Sequence, residues 1–244
     1  MHILNDIDRP DASQIMEIAK GHVRPRVSLA DIVKSKKPPE QPKASAKIPE
    51  DVTKLVMLTI VAPYKPVTEY YEILRFTHRQ GNDAKNEGLK LGLLASHEWH
   101  SGHRGGKTLL IEPLKAAFEM FHLTPMYEPP PGFMHRFLQD RVMQEMAQRG
   151  VKAQAEKSVN KKRIDVLLEH DGETIAVEIA TTDKHEVINV RKDLFQAGIG
   201  RVAIIGLDRK VVAAVKKKIN KEFSKDTLAK VTVCILAEFL SEWD

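Results

Sequence analysis

A mixed α/β protein in two folded parts is what this sequence predicts, and three observations carry that expectation. The first half strings together short helical periods and then two extended segments around a glycine-rich turn. In the second half, Asp171-Gly172 separates two apolar extended runs. From there to the end of the chain, helical and extended periods alternate. At 244 residues the chain has room for two small domains, each with a hydrophobic core.

Composition narrows the class before any motif is read. Hydrophobic residues at 42% and charged residues at 29% are ordinary for a soluble globular protein and argue against wholesale disorder. No apolar run approaches the roughly 20 residues of a membrane span, and residues 1–9 lack the apolar stretch behind a basic one that marks a secretory signal. A cytoplasmic protein with no membrane partner is therefore expected. The one cysteine, Cys234, sits among Val231, Val233, Ile235 and Leu236, the neighbours of a packed thiol in a buried strand. A net charge of +5 is a mild bias towards polyanions such as nucleic acid.

Residues 1–50 read as a polar arm and linker. Helical spacing occurs at 12–20 and 28–33, but 34–49 (KSKKPPEQPKASAKIP) has almost nothing to bury. The first folded part is expected over 51–128. A helix over 51–61, with Asp51 as its cap, presents Leu55, Val56, Leu58, Thr59 and Val61, and after Pro63 and Pro66 a second helix over 67–76 turns Tyr70, Ile73 and Leu74 inward. A third helical run covers 82–94 and passes into an extended piece. A strand ending at Trp99, a turn at 101–106, a strand at 107–111 and a helix over 112–121 that starts at Pro113 complete the part.

Three helices followed by a hairpin is the order of a winged helix. In that arrangement the third helix enters the major groove and the hairpin lies against phosphate. The candidate nucleic-acid-binding residues are accordingly Lys85, Asn86 and Lys90 on the third helix and Arg104 and Lys107 on the wing, with His103 beside them. Asp83 and Glu87 on the same helix oppose phosphate contact. Two near-motifs fail on context. The stretch GHRGGKT at 102–108 has Ser101 where a phosphate-binding loop needs its first glycine, and it leads into a strand instead of opening a helix. His97, His100 and His103 recur every third residue across a turn that keeps no helical register, and no cysteine accompanies them as a zinc ligand.

The run PPPG at 129–132 marks the boundary to a second domain over 129–244. A long helix over 133–148 puts Phe137, Leu138, Val142, Met143 and Met146 on one face, with Gly150 as its stop. Strands are expected at 152–156, 163–168 and 174–179. Then come a helix over 184–197 with Val187, Val190 and Leu194 inward and Thr182 or Asp183 as its cap, a buried strand at 201–206, a helix over 211–223 and a last strand at 230–236.

The two carboxylates of the hairpin are the chemical signal. A two-residue turn at Asp171-Gly172 sets Asp165 opposite Glu178, on one face and close enough to share a cation. Acids in strands commonly just face solvent. Here, however, Asp165 lies between Ile164 and Val166 and Glu178 between Val177 and Ile179, and like charges placed opposite each other destabilise a sheet unless a cation or base lies between them. Hydrolysis of phosphodiesters by Mg or Mn uses hard oxygen ligands of this kind.

Helix, strand, IDVLLE, turn, IAVEIA, helix and buried strand, over residues 133–206, resembles the PD-(D/E)xK nuclease superfamily and is similar within it to the archaeal Holliday-junction resolvases. The fold this implies is α/β: an N-terminal winged helix followed by a restriction-endonuclease-like αβ domain with a mixed central sheet. The resemblance puts the metal on Asp165 and Glu178 and implies metal-dependent cleavage of DNA. The family's lysine, two residues after the glutamate, falls on Ala180, so Lys184 or Arg191 on the following helix is the candidate replacement. The family's helical glutamate falls near His135, Gln139 or Glu145, and Glu156 is a further candidate ligand. Asn189, Arg191 and Lys192 are candidate phosphate contacts. The resemblance further implies a homodimer and an ATPase or mobile-element partner. The alternative is a nuclease-fold DNA-binding or adaptor module that no longer cuts.

Overall fold

A computed structural model describes residues 48–100, 107–125 and 131–243, and these divide into two compact units on either side of the proline run. The two short helical periods expected at 12–20 and 28–33, and the turn carrying His103 and Arg104, lie outside the described residues. The chain is mixed α/β, with a two-stranded sheet in the first unit and a five-stranded sheet in the second. Among the described residues, no helix is long and apolar enough to cross a membrane.

In the first unit, α1 (Glu50–Val61) is entered from Pro49, not capped by Asp51, because the proline's extended backbone sets the chain into the helix. Its buried stripe is Val52, Leu55, Val56, Leu58 and Thr59. Helix α2 (Val67–Leu74) stops two residues earlier than its apolar period suggests, where Arg75 takes a left-handed conformation with φ 55°. The hydroxyl of Tyr70 on α2 donates to the carbonyl oxygen of Ala62 at 2.9 Å and ties the two helices together.

Helix α3 (His78–Lys90) begins four residues before the expected start. Thr77 and Gln80 form a capping box there, a local signal stronger than the apolar spacing used to place it. Gly81 lets α3 approach α2, since a Cβ at that position would stand 2.5 Å from the ring of Tyr71. Strands β1 (Leu94–Trp99) and β2 (Thr108–Pro113) pair antiparallel, and α4 (Lys115–Met120) closes the unit. Pro113 is the last residue of β2, opposite Leu94, and does not sit in the first turn of a helix as its sequence context suggests.

The second unit opens with α5 (Phe133–Gln148) and continues with β3 (Lys152–Val159), β4 (Lys162–His170) and β5 (Glu173–Ala180). Helix α6 (Glu186–Arg191) runs without interruption into a π-helical turn (Lys192–Ala197). After it come β6 (Arg201–Gly206), α7 (Arg209–Glu222), α8 (Lys225–Leu228), β7 (Val231–Ile235) and α9 (Leu236–Ser241). The sheet order is β3-β4-β5-β6-β7, antiparallel through the first three strands and parallel through the last three, so it is mixed.

Asp171 and Gly172 both have positive φ, at 49° and 80°, which is the two-residue turn whose twist matches the paired strands. It sets Val166 opposite Val177 and His170 opposite Glu173. All three hairpin strands run longer than their apolar segments, because polar residues at their ends continue the ladders.

Successive residues of β5 divide between the two faces of the sheet. Ala176 and Ala180 join a core with Val190 of α6, Val202 and Ile204 of β6, and Val212, Val215 and Ile219 of α7. Helix α5 packs across β3, β4 and β5, and α9 packs on α5, β6 and β7. Glu178 shares its side of β5 with Ala176 and Ala180, so it looks into the layer formed by α6 and the π turn.

The segment after β5 departs most from expectation. Neither Thr182 nor Asp183 caps α6. His185 precedes it without a side-chain cap, and Asp183 is instead held by Lys218 of α7 at 2.8 Å. Helix α7 starts two residues early because the carboxylate of Asp208 accepts from the backbone N–H groups of Lys210 and Val211, both at 2.8 Å.

Candidate carboxylate site where the hairpin opens

Asp165 lies where both of its strand ladders are interrupted. The β4–β5 ladder ends at Val166 and Val177, one pair short of Asp165 and Glu178, and the β3–β4 ladder skips Glu156 and Asp165 between two regular pairs. Glu156 has φ 55°, a left-handed conformation foreign to a strand, and the register is the same on either side, so the ladder breaks at one pair without an inserted residue. Side chains take over the work of the ladder. The Asp165 carboxylate accepts the backbone N–H of Ile179 at 2.8 Å, and the side-chain amide of Gln139 on α5 donates to the Asp165 carbonyl oxygen at 2.7 Å. Gln139 also donates to Glu156 at 3.0 Å, and Arg163 binds the other oxygen of that carboxylate. Glu156 is thus engaged by two donors. His135, one turn earlier on α5, holds its Nε2 at 3.4 Å from the Asp165 carboxylate.

Glu178 is 4% exposed. One carboxylate oxygen accepts from the Asn189 amide at 3.0 Å, and among the described residues no donor reaches the other. Two more acids from the covering segment meet it there. Glu186 and Asp193 are 6% and 2% exposed, and each likewise has a buried oxygen without a donor among the described residues. Asn189 lies within hydrogen-bonding reach of Glu186 as well as Glu178, and so sits between the two.

The electrostatics follow from this crowding. Burial, and then the charges of Asp165, Asp193 and Glu186, push the Glu178 carboxyl well above the carboxylate range; none of the groups acting on it is a cation. Burial and the charge of Asp165 push Glu186 up to about 7, against which His135 acts in the opposite sense. Asp193 is also raised, first by burial, and its carboxyl lies within hydrogen-bonding reach of Glu178. Two carboxyl groups bond to each other only through a proton held between them.

Among the described residues no ion pair joins Lys184 or Arg191, the expected replacements for the missing lysine, to Asp165 or Glu178. Ala180 is fully buried in the core, Lys184 is exposed on the turn before α6 and acts on Asp183, and Arg191 bonds Glu222 at 3.2 Å with its guanidinium over the ring of Phe223. Glu145 is held between Arg141 and Arg149, at 2.6 and 2.9 Å, away from Asp165. In the first unit, Lys85 lies 3.5 Å from the Asn82 side chain, Lys90 pairs with Glu87 at 3.3 Å and Asn86 is exposed; Lys107, which belongs to the second unit, is exposed too.

Glu186 and Asp193 escaped the sequence reading, although a signal for them exists. The residues that α6 and the π turn bury are Glu186, Val190, Asp193 and Ala197, while Val187 and Leu194, expected inward with Val190, are half-buried and pack on the same core. Acids at the third and fourth positions either side of an inward valine are a polar interruption of a buried face. Compared with known proteins, the chain matches no family model, no curated sequence and no solved structure.

Proposed function

We propose that the second unit is a divalent-cation-dependent nuclease that hydrolyses DNA phosphodiester bonds, docked by a winged helix in the first. One observation carries this reading: the buried Glu178 carboxylate, with an oxygen lacking any donor among the described residues, stands beside Asp165 where the hairpin opens. The donors are hard oxygens and fit Mg²⁺ or Mn²⁺, which Asp165 and Glu178 would hold. A cation there would supply charge stabilisation at phosphorus and an acidified water. The chain's own residues do the rest. Ile179 N–H and Gln139 fix Asp165 from two sides, Asn189 orients Glu178, and the His135 Nε2 stands 3.4 Å from the Asp165 carboxylate.

The three helices α1 to α3 followed by the β1–β2 hairpin support the winged-helix reading, with Lys85, Asn86, Lys90 and Lys107 towards phosphate. Ala180 favours a second reading. With no lysine at that position, Lys184 exposed and Arg191 bonded to Glu222, the unit is an adaptor that binds DNA beside a larger ATPase or mobile-element complex without cutting. Incubation with branched, single-stranded and duplex DNA in Mg²⁺ or Mn²⁺ separates the two. The nuclease reading expects cutting that Asp165→Ala and Glu178→Ala abolish; binding without cutting, or cutting that survives both changes, overturns it.

A further inference from the structure

Neither Glu186 nor Asp193 belongs to the hairpin, yet both bury a carboxylate against Glu178. A buried acid ordinarily finds a donor, because an unsatisfied one costs several kcal/mol. Three such acids in one place leave Glu178 Oε1, Glu186 Oε2 and Asp193 Oδ2 without one among the described residues. All three side chains are more than nine-tenths buried, so bulk water does not offset the cost. Asp193 stands at the start of the π-helical turn, a rare backbone form that recurs at functional sites. Hydrophobic residues of the same volume would pack this layer better if packing were the only demand on it.

We propose that Glu186 and Asp193 are cation ligands, which with Glu178 bind a hard divalent cation, Mg²⁺ or Mn²⁺, between β5 and the α6–π segment. The inference rests on the reading of Glu178 as a cation ligand and does not require that DNA be cut. The oxygens are the hard donors such ions take, and acids from a strand and a helix arrive from two directions. Among the described residues no three acids yet stand in coordinating geometry, so the proposed site requires the side chains to draw together on binding. Asn189, within hydrogen-bonding reach of both Glu178 and Glu186, is the positioning residue for the two.

The test is Mn²⁺ binding to the full chain, followed by loss of the electron paramagnetic resonance signal of free Mn²⁺. It compares the wild type, Glu186→Gln, Asp193→Asn, the double variant and Glu222→Gln, an acid outside the site. Loss of a ligand should weaken binding at least as much as loss of an outer partner, about tenfold or more for each single change, with Glu222→Gln unchanged. The amides keep the shape of the protonated acids, so the metal-free variants should unfold at or above the wild-type temperature; only the stabilisation conferred by Mn²⁺ should disappear. Wild-type Mn²⁺ affinity in the double variant overturns the inference and leaves a cation on Asp165 and Glu178 intact. A wild-type protein that binds no Mn²⁺ overturns both. Mn²⁺ binding lost in the variants, with no DNA cut by the wild type, upholds the inference and removes the nuclease reading.

Discussion

The Asp165 carboxylate accepts the backbone N–H of Ile179 at 2.8 Å, so a side chain closes the hairpin where its ladder has ended. The same group is a candidate ligand and a structural clasp. The two roles separate by substitution. Asp165→Asn keeps an oxygen acceptor for Ile179 and should fold with near wild-type stability while losing cation affinity and any cleavage. Asp165→Ala leaves that N–H without an acceptor and should cost about 1–3 kcal/mol in a urea titration. Equal stability of the two variants would refute the clasp.

The raised carboxyls set the pH dependence of the metal-free protein. Glu186 has a folded pKa near 7 against an ordinary 4.5. Above the lower value the unfolded chain ionises while the folded protein keeps its proton, so folding loses stability as pH rises from 4.5 to about 7, then levels off. At 1.36 kcal/mol per pKa unit the contribution of this group is about 3 kcal/mol, and Glu178 with Asp193 act in the same direction. Thermal unfolding at about pH 5 and about pH 8 should show the drop, and Glu186→Gln should reduce it. Saturating Mg²⁺ should reverse it with release of protons.

Gln139 carries two bonds that nothing else on α5 supplies. Gln139→Leu should leave the Asp165 carbonyl unpartnered and the Glu156 carboxylate with Arg163 alone, and so destabilise the second unit by about 1–3 kcal/mol. Amide exchange at β3 and β4 should accelerate ahead of that at β6. Unchanged protection would show that the break in the ladder at Glu156 holds without it.

In the first unit, Gly81→Ala should cost about 1–3 kcal/mol, because the new methyl overlaps the Tyr71 ring and α3 has to withdraw. Circular dichroism melts of the variant measure the cost, and a melt identical to wild type would mean the ring swings aside freely.

For DNA binding, Lys85→Ala and Lys90→Ala should each weaken duplex affinity irrespective of sequence and flatten its salt dependence by about one counterion. Fluorescence anisotropy across a salt series reads both quantities. An unchanged slope would place the duplex elsewhere.

Much of this architecture is determined locally, and for that reason the sequence contains it. The register of Asp165 and Glu178 follows from the Asp171-Gly172 turn, since two residues of positive φ leave one way to pair the flanking strands. Buried runs such as 201–206 and the apolar faces of α1 and α5 repeat at their own periods. What the tertiary structure alone decided is which polar residues those faces bury. That Glu186 and Asp193 turn inward with Val190 depends on the π turn and on how the segment lies over β5, while Arg191 is drawn to Glu222. A carboxylate is held in a buried place by what surrounds it, and for Glu186 and Asp193 those neighbours include Asp165 and Glu178, from strands that the chain brings against the segment only on folding.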